Sequence, residues 1–160
     1  MIEMYVQGVT LDPVTNMPIV VLKGKETEDI LPIWIGIFEA NAIAMQLEEV
    51  ERPRPLTHDL ITSIINSLSS SVKNIIIHSL KNNTYYAEIT VEQDGKELKI
   101  DSRPSDAINI ALRFNAPIFV SEDVISATKS EEEITEPNEE DLSEWLESIK
   151  PEDFKKTIEH

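Results

Sequence analysis

Hydrophobic and polar residues alternate in some segments of the chain and recur every three or four residues in others. Alternating or β-branched runs predict strands at residues 4–11, 19–22, 31–35, 72–80, 85–92 and 98–101, separated by turn sequences such as "DPVTN" and "QDGK". Helical spacing predicts helices over about 37–50, 58–70 and 104–115, and "APIFVSEDVI" adds a short strand and a helical turn. The pattern predicts an α+β fold of mostly antiparallel sheet, built from meanders, with packed helices.

The same order of elements occurs twice. A shift of 67 residues places "LPIWIGIFEANAIAMQL" (31–47) over "LKIDSRPSDAINIALRF" (98–114), with identical residues at five of 17 positions and Glu39 over Asp106. A hairpin-like pair of strands precedes each segment. We therefore predict a duplicated β-β-β-α unit around a pseudo-twofold axis, in which small residues such as Ala40 and Ala107 let the helices approach closely.

The composition changes after Ala127. Residues 128–160 begin as an acidic linker, and Leu142, Trp145, Leu146 and Ile149 then fall on one face of a short amphipathic helix. We predict a folded domain at 1–127 and an acidic helical tail at 128–160. We expect the tail to dock on its own domain; the alternative is an element that binds a protein partner, since the pattern itself does not distinguish the two surfaces.

Composition and charge narrow the classes of function. The chain has 160 residues, no cysteine and a formal net charge of −16, half of which lies in residues 128–160. No apolar run approaches the length of a membrane span, and the N-terminal sequence lacks the features of a secretory signal, so a cytoplasmic protein is expected. The four arginines fall in two short segments, which leaves room for a local positive patch on an acidic domain.

Polar residues cluster where two of the predicted helices begin. Thr57 is predicted to cap the helix that starts at His58, with Asp59 in its first turn. Pro104 suits the first helical position of the later helix, which puts Asp106 at the third, where a carboxylate can complete a capping box. A structural explanation therefore exists for these acids.

Arg103 does not fit that explanation, because it falls at the cap position and its side chain cannot accept a hydrogen bond from the helix. Its counterpart in the repeat is Gly36. Polar residues of the two segments are Arg54, His58, Asp59, Asp101, Arg103, Ser105 and Asp106. Arginine forks at helix N-termini favour phosphate, and clustered carboxylates favour Mg²⁺ or Mn²⁺, so these residue types suit metal-assisted phosphodiester hydrolysis. Arg/Asp networks that only hold two segments together use the same residues.

Four strings in this order and spacing carry a family resemblance: "LPIWIGIFEANAIAMQLE", "RPLTHDL", "IDSRPSDAINIALR" and "APIFVSEDV". Over residues 1–127 the chain resembles the bifunctional nuclease domain family. The resemblance implies an α+β fold, a tendency to form homo-oligomers and nuclease activity on DNA and RNA. The motif positions carried over are Glu39, Arg54, Pro55, His58, Asp59, Asp101, Arg103, Pro104, Ser105 and Asp106.

Our hypothesis assigns three roles. Asp101, Asp106 and Glu39 hold Mg²⁺ or Mn²⁺; His58 or Asp59 is the general base; Arg54, Arg103 and Ser105 hold the phosphate. The alternative is a non-enzymatic, oligomeric or regulatory module in which the motifs form a rigid Arg/Asp lattice. A buried lattice that joins Arg103 and Asp106 to Arg54 and Asp59 would favour that alternative.

Overall fold

The computed structural model describes residues 1–132, with side chains through Ser130. Its strands are β1 Ile2–Leu11, β2 Pro18–Gly24, β3 Ile30–Trp34, β4 Ser71–Lys81, β5 Thr84–Gln93, β6 Lys96–Ser102 and β7 Ile118–Val120. Its helices are α1 Ile37–Leu47, α2 Thr57–Ser67, α3 Pro104–Phe114 and α4 Glu122–Glu132. The predicted α+β class is confirmed.

The strands of this part of the chain form one sheet in the order β3-β2-β1-β7-β4-β5-β6. Two antiparallel meanders, β1-β2-β3 and β4-β5-β6, lie on either side of β7. Strand β7 runs antiparallel to β1 and parallel to β4. A helix follows directly after β3 and after β6. This order agrees with the predicted duplication, which itself stays a prediction.

The hydrophobic core lies between the sheet and the helices. Its buried cluster joins Ile75, Ile77, Ala87, Ile89 and Val91 of the sheet to Ala107, Ile108, Ile110 and Ala111 of α3. Successive side chains of a strand point to opposite faces, so the odd-numbered residues 87, 89 and 91 of β5 mark the face that the helices cover. Helix α3 packs against both α1 and α2, and Ala40 and Ala107 are fully buried, which allows the backbones to come close.

The helix ends follow local chemistry, with two corrections. Pro104 occupies the first position of α3, and Asn115 ends it in the left-handed conformation with φ 50°. The predicted cap Thr57 is wrong, since α2 already begins there and Leu56 takes the cap position. The predicted capping box at α3 is absent, because the Asp106 carboxylate binds side chains of other residues instead.

Helix α4 continues to Glu132, so the first residues of the predicted acidic linker are helical. The predicted amphipathic helix at 142–149 lies outside the described residues. Among residues 1–132, we find no helix whose length and apolar character would let it cross a membrane.

Candidate functional site

Arg103 joins the first turns of α1 and α3. It stands at the cap position of α3 in an extended conformation, with φ −70° and ψ 147°, and its Nε donates to Asp106 Oδ2 at 2.7 Å. Its Nη2 donates to Glu39 Oε1 of α1 at 3.0 Å. The arginine side chain is 66 % exposed, whereas those of Glu39 and Asp106 are 18 % and 27 % exposed. The guanidinium therefore lies over the two carboxylates and faces solvent.

Helix α2 adds a histidine to this group. His58 Nε2 lies 2.8 Å from Asp106 Oδ1, and an ionised carboxylate only accepts hydrogen bonds, so the ring nitrogen donates. His58 is buried, and its Nδ1 has no hydrogen-bond partner within residues 1–132. Glu39, His58, Arg103 and Asp106 form what we call the Arg103 cluster. It draws on the N-terminal turns of three helices, whose dipoles favour anions.

Gly36 makes room for one member of the Arg103 cluster. A Cβ atom built on Gly36 would lie 2.2 Å from Oε2 of Glu39, far inside van der Waals contact. The backbone of Gly36 has φ −68°, which any residue can adopt, so the requirement for glycine here is one of space. The absence of a side chain at the cap of α1 thus lets the Glu39 carboxylate reach Arg103.

Gly36→Ala should have the same effect on stability as removing the Glu39 charge. The new methyl group displaces the carboxylate and breaks its ion pair with Arg103. Because the Arg103 side chain is 66 % exposed, this ion pair contributes about 1 kcal/mol or less. We expect Gly36→Ala and Glu39→Gln each to lower the free energy of unfolding in urea by about that amount, and the double variant to lose little more than either. Full additivity would show that the two residues act separately.

A second polar network surrounds Asp59. Its Oδ1 accepts from Arg113 Nε at 2.9 Å and Arg52 Nη2 at 2.9 Å. Its Oδ2 accepts from Arg52 Nε at 2.8 Å and from the backbone N–H of Leu56 at 2.9 Å. The side chains of Arg52 and Asp59 are both 16 % exposed, and that of Arg113 is 4 % exposed. Because two donors occupy each oxygen of Asp59, this carboxylate is held on all sides.

Asn109 connects the two networks. It is fully buried, and its Oδ1 accepts from Arg113 Nη1 at 3.0 Å. Its Nδ2 donates to the backbone carbonyls of Glu39 at 3.1 Å and Ser105 at 3.0 Å. A buried amide stabilises a fold only when its donors and acceptor are paired, as they are here. Asn109 therefore fixes the first turn of α1 against α3. We call Arg52, Asp59, Asn109 and Arg113 the Asp59 network.

Both aspartates of these groups are held in the charged state. Burial opposes ionisation of Asp106, but hydrogen bonds from Arg103 and His58 outweigh it and lower the pKa of this carboxyl below its ordinary value. At Asp59, burial is again the largest opposing effect, and the N–H of Leu56 together with Arg113 and Arg52 lowers its pKa. Both carboxyl groups are therefore deprotonated at neutral pH, and neither is suited to donate a proton.

These lowered pKa values predict acid sensitivity. A carboxyl whose pKa is lower in the folded than in the unfolded chain adds stability that is complete above the ordinary carboxyl pKa and is lost as the pH falls through the folded value. We expect the free energy of unfolding to fall as the pH drops below about 4, and the fall to be shallower in Asp59→Asn. Urea titrations at a series of pH values measure this, and an unchanged slope in Asp59→Asn would contradict it.

Within residues 1–132, no hydrogen bond or ion pair joins the side chains of the remaining predicted site residues to the Arg103 cluster. Arg54 is exposed and makes no hydrogen bond or ion pair with any of the 132 described residues. Ser105 is buried, and its carbonyl accepts from Asn109. Asp101 is exposed on β6 opposite Glu88. By strand alternation it projects from the face of the sheet away from the helices.

The three predicted metal ligands do not come together in this arrangement. Glu39 and Asp106 share Arg103, and Asp101 is on the other face of the sheet. Across residues 1–132, no group of three or more His, Asp or Glu side chains is placed to hold a metal ion. A hard divalent cation needs several convergent oxygens, so the donors as placed do not fit one.

Sequence reasoning missed four residues of these networks: Arg52, Arg113, Asn109 and the steric role of Gly36. The segment "ERPRP" offers two arginines with nothing in the pattern to choose between them, and Arg54 was chosen although Arg52 binds Asp59. Asn109 left a usable signal, because it interrupts the apolar face of "AINIAL". A polar side chain at a core position predicts a buried hydrogen-bond network.

Comparisons with known proteins identify a family and several relatives of this chain. The family model of the bifunctional nuclease domain matches residues 20–133. An uncharacterised protein of Mycobacterium tuberculosis strain H37Rv is 40% identical over 165 residues, which cover 97% of this chain and 99% of that protein. Bifunctional nuclease 1 of Oryza sativa subsp. indica is 28% identical over 64% of this chain and 32% of its own length.

Bifunctional nuclease 1 of Arabidopsis thaliana is 27% identical over 72% of this chain and 37% of its own length. The chain thus spans about a third of the plant proteins but nearly all of the mycobacterial one. The matched residues 20–133 include both the Arg103 cluster and the Asp59 network. The chain therefore belongs to the bifunctional nuclease domain family.

Proposed function

We propose that the chain hydrolyses phosphodiester bonds of DNA and RNA, and that the Arg103 cluster is the reactive site. The observation that carries the proposal is the exposed guanidinium of Arg103 held over two carboxylates and a histidine at three helix N-termini. The family membership and the names of the plant relatives support nuclease chemistry. Nucleic acid is accordingly the proposed substrate.

Arg103 is the proposed phosphate ligand. A guanidinium has five N–H donors, and the contacts with Glu39 and Asp106 use one at Nε and one at Nη2. The two donors of Nη1 make no hydrogen bond within the described part of the chain. They are available to donate hydrogen bonds to phosphate oxygens. The Glu39 and Asp106 carboxylates fix the orientation of this fork before substrate binds.

His58 and Asp106 are the proposed proton-transfer pair. Asp106 holds Nε2–H, which leaves Nδ1 as the nitrogen that takes a proton from an attacking hydroxyl or water. Orientation of an imidazole by a carboxylate is a common arrangement for a general base. Asp59 is not proposed for this role, because both of its oxygens are already occupied by arginine and backbone donors.

An exposed aromatic residue is adjacent in the sequence to a member of the Arg103 cluster. Phe38 directly precedes Glu39 at the start of α1 and is 83 % exposed. Aromatic rings exposed next to a phosphate-binding arginine commonly stack on unpaired bases. Phe38 is therefore a proposed contact for a single-stranded substrate.

Mg²⁺ or Mn²⁺ remains a proposed cofactor. The three predicted carboxylates do not converge in this structure, so the ion would need other ligands or a rearrangement of these side chains. The roles proposed for Arg103, His58 and Asp106 do not require a metal ion. Glu39 and Asp106 are both paired with Arg103. A metal ion would therefore compete with Arg103 for these two carboxylates.

The non-enzymatic alternative has an observation of its own. The Asp59 network is a buried Arg/Asp lattice, the arrangement expected for a structural role. It contains one residue of the family motif, Asp59. It does not include Arg54, Arg103 or Asp106. The Asp59 network thus gives a structural role to Asp59 of "RPLTHD". It gives no structural role to Arg103 and Asp106 of "SRPSDA", which favours the enzymatic proposal. Homo-oligomerisation in the cytoplasm is proposed under either alternative.

The proposal is tested by incubating the purified chain with plasmid DNA and with unstructured RNA, each in Mg²⁺, Mn²⁺ or chelator. We expect cleavage that co-purifies with the folded protein and disappears in Arg103→Ala. Activity that survives unchanged in Arg103→Ala would overturn the site, and no cleavage under any condition would favour the non-enzymatic alternative. The chelator arm decides the metal question separately.

A further inference from the structure

The two edges of the sheet differ in how they are protected. Edge strand β3 contains Pro32, whose nitrogen carries no hydrogen, and its central residues Leu31, Pro32 and Ile33 are buried. Proline is a common means of keeping an edge strand from pairing with another chain. Edge strand β6 has no proline and is exposed from Lys96 through Asp101. Among residues 1–132, no strand pairs with its outer side.

Apolar side chains accompany this open edge. Leu98 and Ile100 of β6 are each 47 % exposed. They lie opposite Val91 and Ile89 of β5, on the face of the sheet against which the helices pack. The helices bury Val91 and Ile89 but leave Leu98 and Ile100 exposed. An unprotected edge with exposed apolar residues is typical of a strand that pairs with a further strand.

Charges on the other face of β6 are incompletely paired. Lys99 reaches Glu88 of β5 at 3.1 Å. Asp101 lies directly opposite that same Glu88, and like charges in this position repel. Asp101 has no cation partner in the part of the chain that the structure describes. A positive charge on the outer side of Asp101 would relieve this repulsion.

We propose that two copies of this chain pair antiparallel through β6, with Ile100 of one copy opposite Ile100 of the other. About a twofold axis perpendicular to the sheet, residues that share a face meet each other. Lys99 then lies opposite Asp101 of the second copy, twice, and Leu98 lies opposite Ser102. Each Asp101 gains the cation that it lacks within residues 1–132, and the apolar side chains of the two edges form one row.

Neighbouring registers of the same pairing are less favourable. A twofold axis at Lys99 places the two Lys99 side chains opposite each other and Glu97 opposite Asp101, so that like charges meet. An axis at Leu98 places Lys99 opposite Glu97, which Lys73 already pairs, and places Asp101 opposite Gly95 in the turn before β6, so Asp101 gains no cation. The Ile100 register alone of the three pairs opposite charges at both Lys99 and Asp101.

The pairing has a consequence for the Arg103 cluster. A twofold axis perpendicular to the sheet keeps the helices of both copies on the same face. Arg103 follows Ile100 by three residues, so the two Arg103 residues would be separated by about 20 Å along the strand direction. This inference names the surface of the proposed oligomer, and it does not rest on the proposed nuclease activity.

The mass of the full chain in solution tests the pairing, measured by light scattering and sedimentation at about 100 µM, a concentration suited to a small interface. We expect a dimer for the wild type and a monomer for Ile100→Asp. Ile64→Asp is the matched control, because Ile64 is 50 % exposed on α2 and outside the proposed interface. It should stay dimeric. Circular dichroism checks that each variant is folded.

A charge exchange tests the register. Lys99→Asp alone should dissociate the dimer, because it sets two aspartates opposite each other, and Lys99→Asp combined with Asp101→Lys should restore it. A monomeric wild type would overturn the proposal and would point to the tail or another partner on β6. A dimer that survives Ile100→Asp, or is lost in Ile64→Asp, would place the interface elsewhere. Failure of the double exchange to restore the dimer would exclude this register.

Discussion

Asp59→Ala should lower the free energy of unfolding by about 3–5 kcal/mol, which is the usual cost of removing one partner of a buried ion pair. The substitution leaves Arg113 and Arg52 without their carboxylate, and the side chain of Arg113 is only 4 % exposed. Arg113 Nη2 already has no partner within residues 1–132, so little spare hydrogen bonding is available to compensate. Equilibrium unfolding in urea, followed by circular dichroism, measures the loss.

Arg54→Ala is the matched control for that experiment. Arg54 lies in the same segment and carries the same charge as Arg52, but it is exposed. Its replacement should change the free energy of unfolding by no more than about 0.5 kcal/mol. Arg52→Ala should resemble Asp59→Ala in direction. A loss below about 1 kcal/mol in Asp59→Ala would show that the network is dispensable for the fold.

His58→Ala should lower kcat for nucleic-acid cleavage by about 10²–10⁴-fold, the contribution that a positioned general base usually makes. His58→Gln separates this role from a purely positional one, because an amide can still donate a hydrogen bond to Asp106 but cannot take up the proton. We expect the two variants to be similarly impaired, with KM little changed. The cleavage rates are compared at equal amounts of folded protein.

Two results would contradict that role. Full activity in His58→Gln would show that His58 only positions Asp106. Equal activity in the wild type, His58→Ala and Arg103→Ala would indicate a contaminating nuclease. Ile64→Asp supplies the control, since Ile64 is exposed on α2 and outside both networks, and it should cleave like the wild type.

The fold was largely predictable because each element carries a strong local pattern. Strand β4 alternates between buried and less buried residues from Ile75 to His78, and α3 begins at a proline and ends at an asparagine in the left-handed conformation. Such signals depend on residues a few positions apart. The start of α2 was misplaced by one residue, because Thr57 is a good capping residue by type while the observed cap is Leu56, whose N–H binds Asp59.

The site was less predictable, since it depends on contacts between distant segments. The position of Arg103 at the cap of α3 was correctly identified as unusual, but its contact with Glu39 spans 64 residues. Asp59 and Asp106 are equivalent in the sequence pattern, as both are acids at the third position of a helix. The structure distinguishes them by their partners: Asp59 faces two arginines and a backbone N–H, and Asp106 faces His58 and an exposed arginine.

This division between a structural and a reactive aspartate is the central claim, and Asp59→Asn and Asp106→Asn test it as a matched pair. For each variant, the free energy of unfolding and the rate of nucleic-acid cleavage per folded molecule are measured side by side. Asp59→Asn should lose stability and keep its cleavage rate, whereas Asp106→Asn should keep most of its stability and lose cleavage. Equal losses of both properties in the two variants, or cleavage retained in Asp106→Asn, would contradict the division.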